Sequence, residues 1–144
     1  MLLSYVSIFT VVVYQKKGNN ESNQKIKMTV PVVTRVDHVY EESPRVKLEM
    51  IQSFYLPLSE PPKPSKGSGV YTEGAFDWYV YVREFPGKAT WEDYAGHADQ
   101  LKRELARDGF EFAEEPIFYA VGYDGPQTPD GSRRNEVWVK AANL

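Results

Sequence analysis

Tyr123 and Glu136 bracket a turn-rich loop, and the run Arg133-Arg134-Asn135 leads from that loop into Glu136. A phenol and a carboxylate held within reach across two paired strands could trade a proton, the minimum that acid–base hydrolysis asks of a site. The same groups could instead hold one another. Polar side chains at the root of a loop often satisfy loop backbone, and Arg133, Arg134, Asn135 and Glu136 would then form a turn and ion-pair cluster that anchors the last strand. Two histidines, His38 and His97, add ligand chemistry, since neutral imidazole is a competent iron ligand. His38 follows Asp37 at the expected end of a strand, and His97 lies beside Ala98 in an expected helix. Neither stands in a ligand motif, so packing against a strand end or a helix flank is the expectation for both. The sequence has no cysteine, which excludes thiolate ligands, disulfides and a cysteine nucleophile. Among its ten tyrosines, Tyr123 is one that could ligate ferric iron. The sequence contains no Gly-rich phosphate loop, zinc spacing or nucleophile elbow.

These residues must be positioned by a small scaffold. A chain of 144 residues is most simply one domain and buries about two thirds of its unfolded surface. A formal net charge of −3, with basic residues only in short clusters, argues against nucleic acid and anionic membrane as partners. Aromatic residues make up 14% of the chain, and amphipathic rings of this kind suit both a β core and the wall of a flat-ligand pocket. Met1 to Gln15 carries no charged side chain, and Lys16-Lys17 ends the apolar run too soon for a membrane span. A buried strand or helix, an alternative start and a targeting or anchoring segment all remain open for it.

Alternation of apolar residues predicts a half-buried strand over Lys25 to Val36, with Pro31 at an edge or bulge. The turn Glu41-Glu42-Ser43-Pro44 and renewed alternation from Val46 to Leu56 predict an antiparallel partner. Pro57 to Gly69 holds four prolines and two glycines, and reads as a crossing loop between two halves. Phe76 to Phe85 is expected as a strand that ends at Pro86-Gly87. Thr90 with Asp93 predicts a helix cap, and Gly109 a left-handed stop. Between them Trp91, Tyr94, Ala95, Ala98, Leu101 and Leu105 share one apolar stripe. Two more strands are expected, about Ile117 to Tyr123 and Glu136 to Lys140, joined through Gly125-Pro126, Pro129-Asp130-Gly131 and Ser132.

The blocks Lys25-Ile26-Lys27-Met28-Thr29-Val30-Pro31-Val32, Phe54-Tyr55-Leu56-Pro57, Pro61-Pro62-Lys63-Pro64, Val82-Arg83-Glu84-Phe85, Gly122-Tyr123-Asp124 and Arg133-Arg134-Asn135-Glu136-Val137-Trp138 occur in order from Gly18 to Lys140. Together they resemble the SOUL heme-binding protein family. The resemblance implies an α+β fold, a distorted antiparallel β-barrel or curved sheet built from two β-α-β-β repeats, the first incomplete here. It divides the chain into a divergent apolar segment, residues 1–17, and a SOUL-like domain, residues 18–144. It further implies a non-enzymatic, cytoplasmic, monomeric protein that binds heme or a related porphyrin non-covalently and reversibly, for buffering or transport. Heme needs an apolar slot with cationic or hydroxyl groups at its mouth. In relatives the slot is attributed to the first-repeat helix and to the loop before the Arg-Arg-Asn-Glu segment. That loop maps onto Tyr123, Gly125, Pro126, Gln127, Thr128 and Pro129, with Arg133 and Arg134 as propionate partners; Thr128 stands where relatives can carry lysine. No catalytic and no metal-ligating residue is expected. Two alternatives stay open: a member without tetrapyrrole binding that acts through protein contacts, and a small-molecule hydrolase at Glu136 and Tyr123. One animal branch of the family is associated with cell-death regulation through a segment resembling a BH3 helix. Leu101 to Gly109 supplies its Leu-x-x-x-Gly part, with Phe110 where an aspartate is expected.

Overall fold

The computed structural model describes residues 2–12, 20–42, 45–56 and 60–142. Among them, six strands and one long helix follow the order β1 (Leu2–Val12), β2 (Val32–Glu42), β3 (Arg45–Tyr55), β4 (Thr72–Pro86), α1 (Trp91–Arg107), β5 (Phe118–Gly122) and β6 (Arg134–Lys140). The strands pair in the order β1-β3-β2-β5-β6-β4, and β4 pairs back onto β1, so the antiparallel ring closes into a barrel. This order is a palindrome in which β1, β3 and β2 correspond to β4, β6 and β5. That is the pseudo-twofold of two repeats. The second repeat is complete as β-α-β-β, while no helix lies between β1 and β2 among the described residues. The apolar opening run is thus a barrel strand over Leu2–Val12, paired with both β3 and β4.

The strand expected over Lys25 to Val36 begins only at Val32. Residues 23–31 are irregular, and Met28 and Val30, expected on the buried side, are each 57% exposed. Alternation alone does not make a strand without a partner backbone, and Pro31 has no N–H to offer one. The segment is tied down by side chains instead. Asn20 Oδ1 accepts from the Gln24 N–H at 2.9 Å, its Nδ2 donates to the Gln24 carbonyl at 2.8 Å, and the Thr29 hydroxyl donates to the Tyr55 carbonyl. The Glu21 N–H reaches the Lys63 carbonyl at 2.8 Å, joining this segment to the proline-rich crossing. From Val32 the expected antiparallel pair forms, with an extra residue at Asp37, where the β2–β3 register shifts between Val36 and His38.

Helix α1 follows its local code. Thr90 Oγ1 accepts from the Asp93 N–H at 3.2 Å, and the Asp93 carboxylate accepts from the Thr90 N–H at 2.8 Å, a reciprocal cap. At the other end the Phe110 N–H bonds the Leu105 carbonyl at 2.9 Å and the Gly109 N–H bonds that of Ala106 at 3.3 Å. This is a Schellman closure, with Gly109 at φ 77° as the left-handed residue. Phe110 follows that glycine, and its ring lies 5.9 Å from that of Tyr81 while the residue stays 46% exposed. Phe110 therefore has a helix-stop role where the BH3-like pattern wants aspartate.

The helix packs on β4, β5 and β6. Ala98, Leu101 and Leu105 meet Tyr81, Phe85, Phe118, Val137 and Val139 on the outer face of the barrel. Trp91, expected on the same stripe, is 40% exposed because it occupies the first turn beyond the sheet's cover. Lys102, off the apolar stripe, is half-buried with its ammonium 5.8 Å from the Phe112 ring centroid, and burial lowers its pKa. The opposite face of the same strands carries a second cluster, Val33, Val80, Tyr119, Val121 and Trp138, which fills the barrel interior.

Candidate functional site

The run Arg133-Arg134-Asn135-Glu136 enters β6, where successive side chains point to opposite faces. Asn135 turns toward α1. Its Nδ2 donates to the carbonyls of Gly87 at 2.7 Å and Phe85 at 3.3 Å, and its Oδ1 accepts from the Tyr94 hydroxyl at 3.1 Å. One buried amide thereby ties β6 to the end of β4 and to the helix. The sequence places Asn135 in a cluster that anchors the last strand, and the structure supplies its partners, the Phe85 and Gly87 carbonyls and the Tyr94 hydroxyl, which the sequence does not name.

Arg134 and Glu136 turn inward. Glu136 is 6% exposed, and its carboxylate accepts from the Tyr123 hydroxyl at 3.0 Å, the Trp138 Nε1 at 2.8 Å and an Arg134 nitrogen at 2.6 Å. Arg134 also pairs with Glu84 at 3.1 Å, and its guanidinium lies 4.5 Å from the centroid of the Tyr123 ring. Its backbone N–H donates to the Asp124 carboxylate at 2.7 Å. Burial, reinforced by the Glu136 charge, pushes the Tyr123 phenol up to about 12, so it remains a proton donor throughout the neutral range. The Tyr123–Glu136 pair thus exists, but each member is held by the other and by Trp138 and Arg134. The carboxylate's bonds are all to the protein itself, the arrangement of a structural cross-tie.

Arg133 belongs to the loop. One of its terminal nitrogens donates to the Pro126 carbonyl at 3.1 Å, and its Nε lies 3.5 Å from an Asp130 oxygen. That Nε is buried without a hydrogen bond among the described residues. The loop itself turns through the Thr128 N–H to the Gly125 carbonyl at 3.1 Å and then a short 3-10 turn, Asp130–Ser132. Gly125, Pro126, Gln127 and Pro129 are exposed and Thr128 is half-buried, so the loop presents a nearly uncharged outer surface next to Tyr123. The expected site residues are therefore contiguous, while the two arginines differ: Arg134 is clamped between Glu84 and Glu136, and Arg133 supports the loop with one nitrogen left over.

The histidines sit apart from this loop. His97 stacks on Phe85, with centroids 4.0 Å apart, and its Nδ1 accepts from Arg83 Nε at 3.2 Å. Arg83 in turn pairs with Glu104 at 3.1 Å. Burial first, and then the Arg83 charge, lowers the imidazole pKa. His38 is exposed on β2 beyond the bulge. Among the described residues no group of three acidic, histidine or cysteine side chains converges as a metal site, and no helix is long and apolar enough to cross a membrane. Leu101 and Leu105, in the BH3-like segment, are fully buried under α1.

Comparison with known proteins follows the same barrel. The profile of the SOUL heme-binding protein family matches residues 7–140, beginning inside β1. The chain is similar to heme-binding protein 2 of Mus musculus, 34% identical over 131 residues, which is 88% of this chain and 61% of the relative. It is 32% identical to heme-binding protein 2 of Homo sapiens over 130 residues, again 88% of this chain and 61% of the relative. With heme-binding protein 1 of Mus musculus the identity is 35% over 128 residues, 87% of this chain and 65% of the relative. The chain thus spans less than two thirds of the length of the curated relatives it matches.

Proposed function

Because the chain belongs to the SOUL heme-binding protein family, we propose that it binds heme or a related tetrapyrrole non-covalently and reversibly, for buffering or transport in the cytoplasm, as a monomer. The observation that carries this reading is the family match along nearly the whole barrel. The geometry supports a location for the ligand. Tyr123 and the Gly125 to Pro129 turn form a nearly uncharged wall, and Arg133, whose guanidinium lies between the Pro126 carbonyl and Asp130, is the cation beside it. Arg134 contributes indirectly, since its charge is already shared by two carboxylates while it holds the Tyr123 ring in place. Thr128 offers a hydroxyl and a methyl group but no charge.

Bound heme would supply a redox-active iron, and Tyr123, the Gly125 to Pro129 turn and Arg133 are the residues that would hold it. Among the described residues the His97 Nδ1 is engaged by Arg83, and the sequence offers no thiolate ligand. One such wall and a cation already paired with Asp130 favour exchange over tight retention. Apolar cover contributes roughly 25 cal/mol per Å², and an exposed pair only about 0–1 kcal/mol. Hemin titration of the full chain, followed at the Soret band, tests the reading. Saturable one-to-one binding is expected, with Arg133→Gln weakening it by up to about fivefold and Arg134→Gln acting mainly through stability. A titration in which hemin shows no saturable Soret change with the folded wild-type chain would remove the proposal.

A further inference from the structure

The inner barrel face has a second polar end. Glu136 lies opposite Val121 and Glu84, whereas farther along β6 Lys140 lies opposite Val80, beyond the apolar plug of Val80, Val121 and Trp138. There a cleft of about 370 Å³ opens, lined by Arg35, Asp37, Glu73, Trp78, Glu115, Pro116, Tyr119 and Lys140. These residues come from β2, β4, β5, β6 and the segment before β5, so no local sequence motif joins them.

The cleft combines three kinds of group. The Trp78 and Tyr119 rings, with centroids 5.1 Å apart and planes at 41°, meet as an aromatic corner. Tyr119 is only 7% exposed and belongs to the lining of the cleft. The charges are three carboxylates against two cations, and one of those cations is already engaged, because Arg35 Nε lies 2.9 Å from an Asp37 oxygen. Glu73, which also interacts with the Tyr71 hydroxyl, and Glu115 line the cleft together with Lys140. The excess is negative, which disfavours an anion. The carboxylates do not converge with a third ligand as a metal site requires, which disfavours a bare divalent ion. Aromatic faces beside carboxylates suit a cation that is both charged and partly apolar.

We propose that this cleft binds an organic ammonium group, seated against Trp78 and Tyr119 and hydrogen-bonded to Glu73 and the Tyr119 hydroxyl oxygen. Burial pushes the Tyr119 phenol up to about 12, so it stays neutral and keeps lone pairs for an N–H donor. The ammonium could belong to a free amine or to the amino end of a zwitterionic amino acid. The site is separate from the Tyr123 loop and does not depend on tetrapyrrole binding.

The test is a low-salt titration of the full chain, followed by NMR of the tryptophan indole N–H signals, with phenethylamine, phenylalanine and phenylacetate as probes. Phenethylamine should shift the Trp78 signal saturably and phenylacetate should not; phenylalanine shifting it too would extend the ligand class to amino acids, and phenylalanine failing to would confine it to free amines. Glu73→Gln should weaken phenethylamine binding by about threefold, and Lys140→Gln should tighten it by a similar factor, because one removes attraction and the other repulsion. Opposite signs at two half-buried positions cannot arise from general loss of structure. The proposal is overturned if phenylacetate binds as well as phenethylamine, if no probe shifts the Trp78 signal, or if the two substitutions do not change affinity in opposite directions.

Discussion

Replacing Glu136 with leucine removes the acceptor shared by Tyr123, Trp138 and Arg134 while keeping a side chain of comparable size. The cost can be built from the donors left behind. Trp138 is buried, so its Nε1–H loses a 2.8 Å bond without access to water, at about 1–3 kcal/mol. The half-buried Tyr123 hydroxyl can turn toward solvent, and losing its bond costs about 0.5–1 kcal/mol. Arg134 is 53% exposed and keeps Glu84, so its share is that of a surface pair, about 0–1 kcal/mol. The sum is about 1.5–5 kcal/mol, a large part of the roughly 5–15 kcal/mol that stabilises a typical domain. Glu136→Gln should cost less, about 1–2 kcal/mol, because the amide oxygen still accepts one of the three bonds while its NH₂ faces donors. Urea unfolding of both variants against wild type, with unchanged slopes, measures these differences. A leucine variant within about 0.5 kcal/mol of wild type would refute the claim that the buried carboxylate holds the loop to the barrel.

Leu101→Ala should destabilise by about 2–5 kcal/mol in the same assay, since Leu101 is fully buried between α1 and the sheet; a loss under about 0.5 kcal/mol would mean that the helix face is exposed and would revive the protein-contact reading. Stability should also fall on acidification through His97. Its folded pKa lies below the ordinary value of about 6.5, so the unfolded chain takes up the proton first; the stabilisation is complete above about pH 6.5 and is lost progressively as pH falls toward the folded pKa. Comparing urea midpoints between pH 8 and pH 5.5 should show a shallower acid loss for His97→Gln than for wild type, and identical slopes would contradict this. Replacing His38 and His97 together should leave the Soret position of any bound hemin nearly unchanged, and abolished binding with a shifted band would identify one of them as the axial ligand.

Sequence determined those features whose interactions close within a few residues. The Thr90–Asp93 cap, the Gly109 stop and the Ala98, Leu101, Leu105 stripe are written in neighbouring positions, and α1 forms where they predict it. The β2–β3 pairing was legible for the same reason, with Ser43 and Pro44 of the expected turn lying outside the described residues, as was the family, because its blocks keep their order along the chain. Backbone pairing between distant segments was not. Residues 25–31 alternate like a strand but have no partner ladder, while Leu2–Val12, whose pattern left several readings open, closes the barrel by pairing with β3 and β4. Tertiary structure also divided the roles within one short run, sending Asn135 to the helix, Arg134 and Glu136 inward, and Arg133 to the loop, because alternation separates neighbours only once the register is fixed. The cleft of Arg35, Glu73, Trp78, Tyr119 and Lys140 is the extreme case: residues from four strands share it only because the ring closes, and strand neighbours are selected by the whole fold rather than by local sequence.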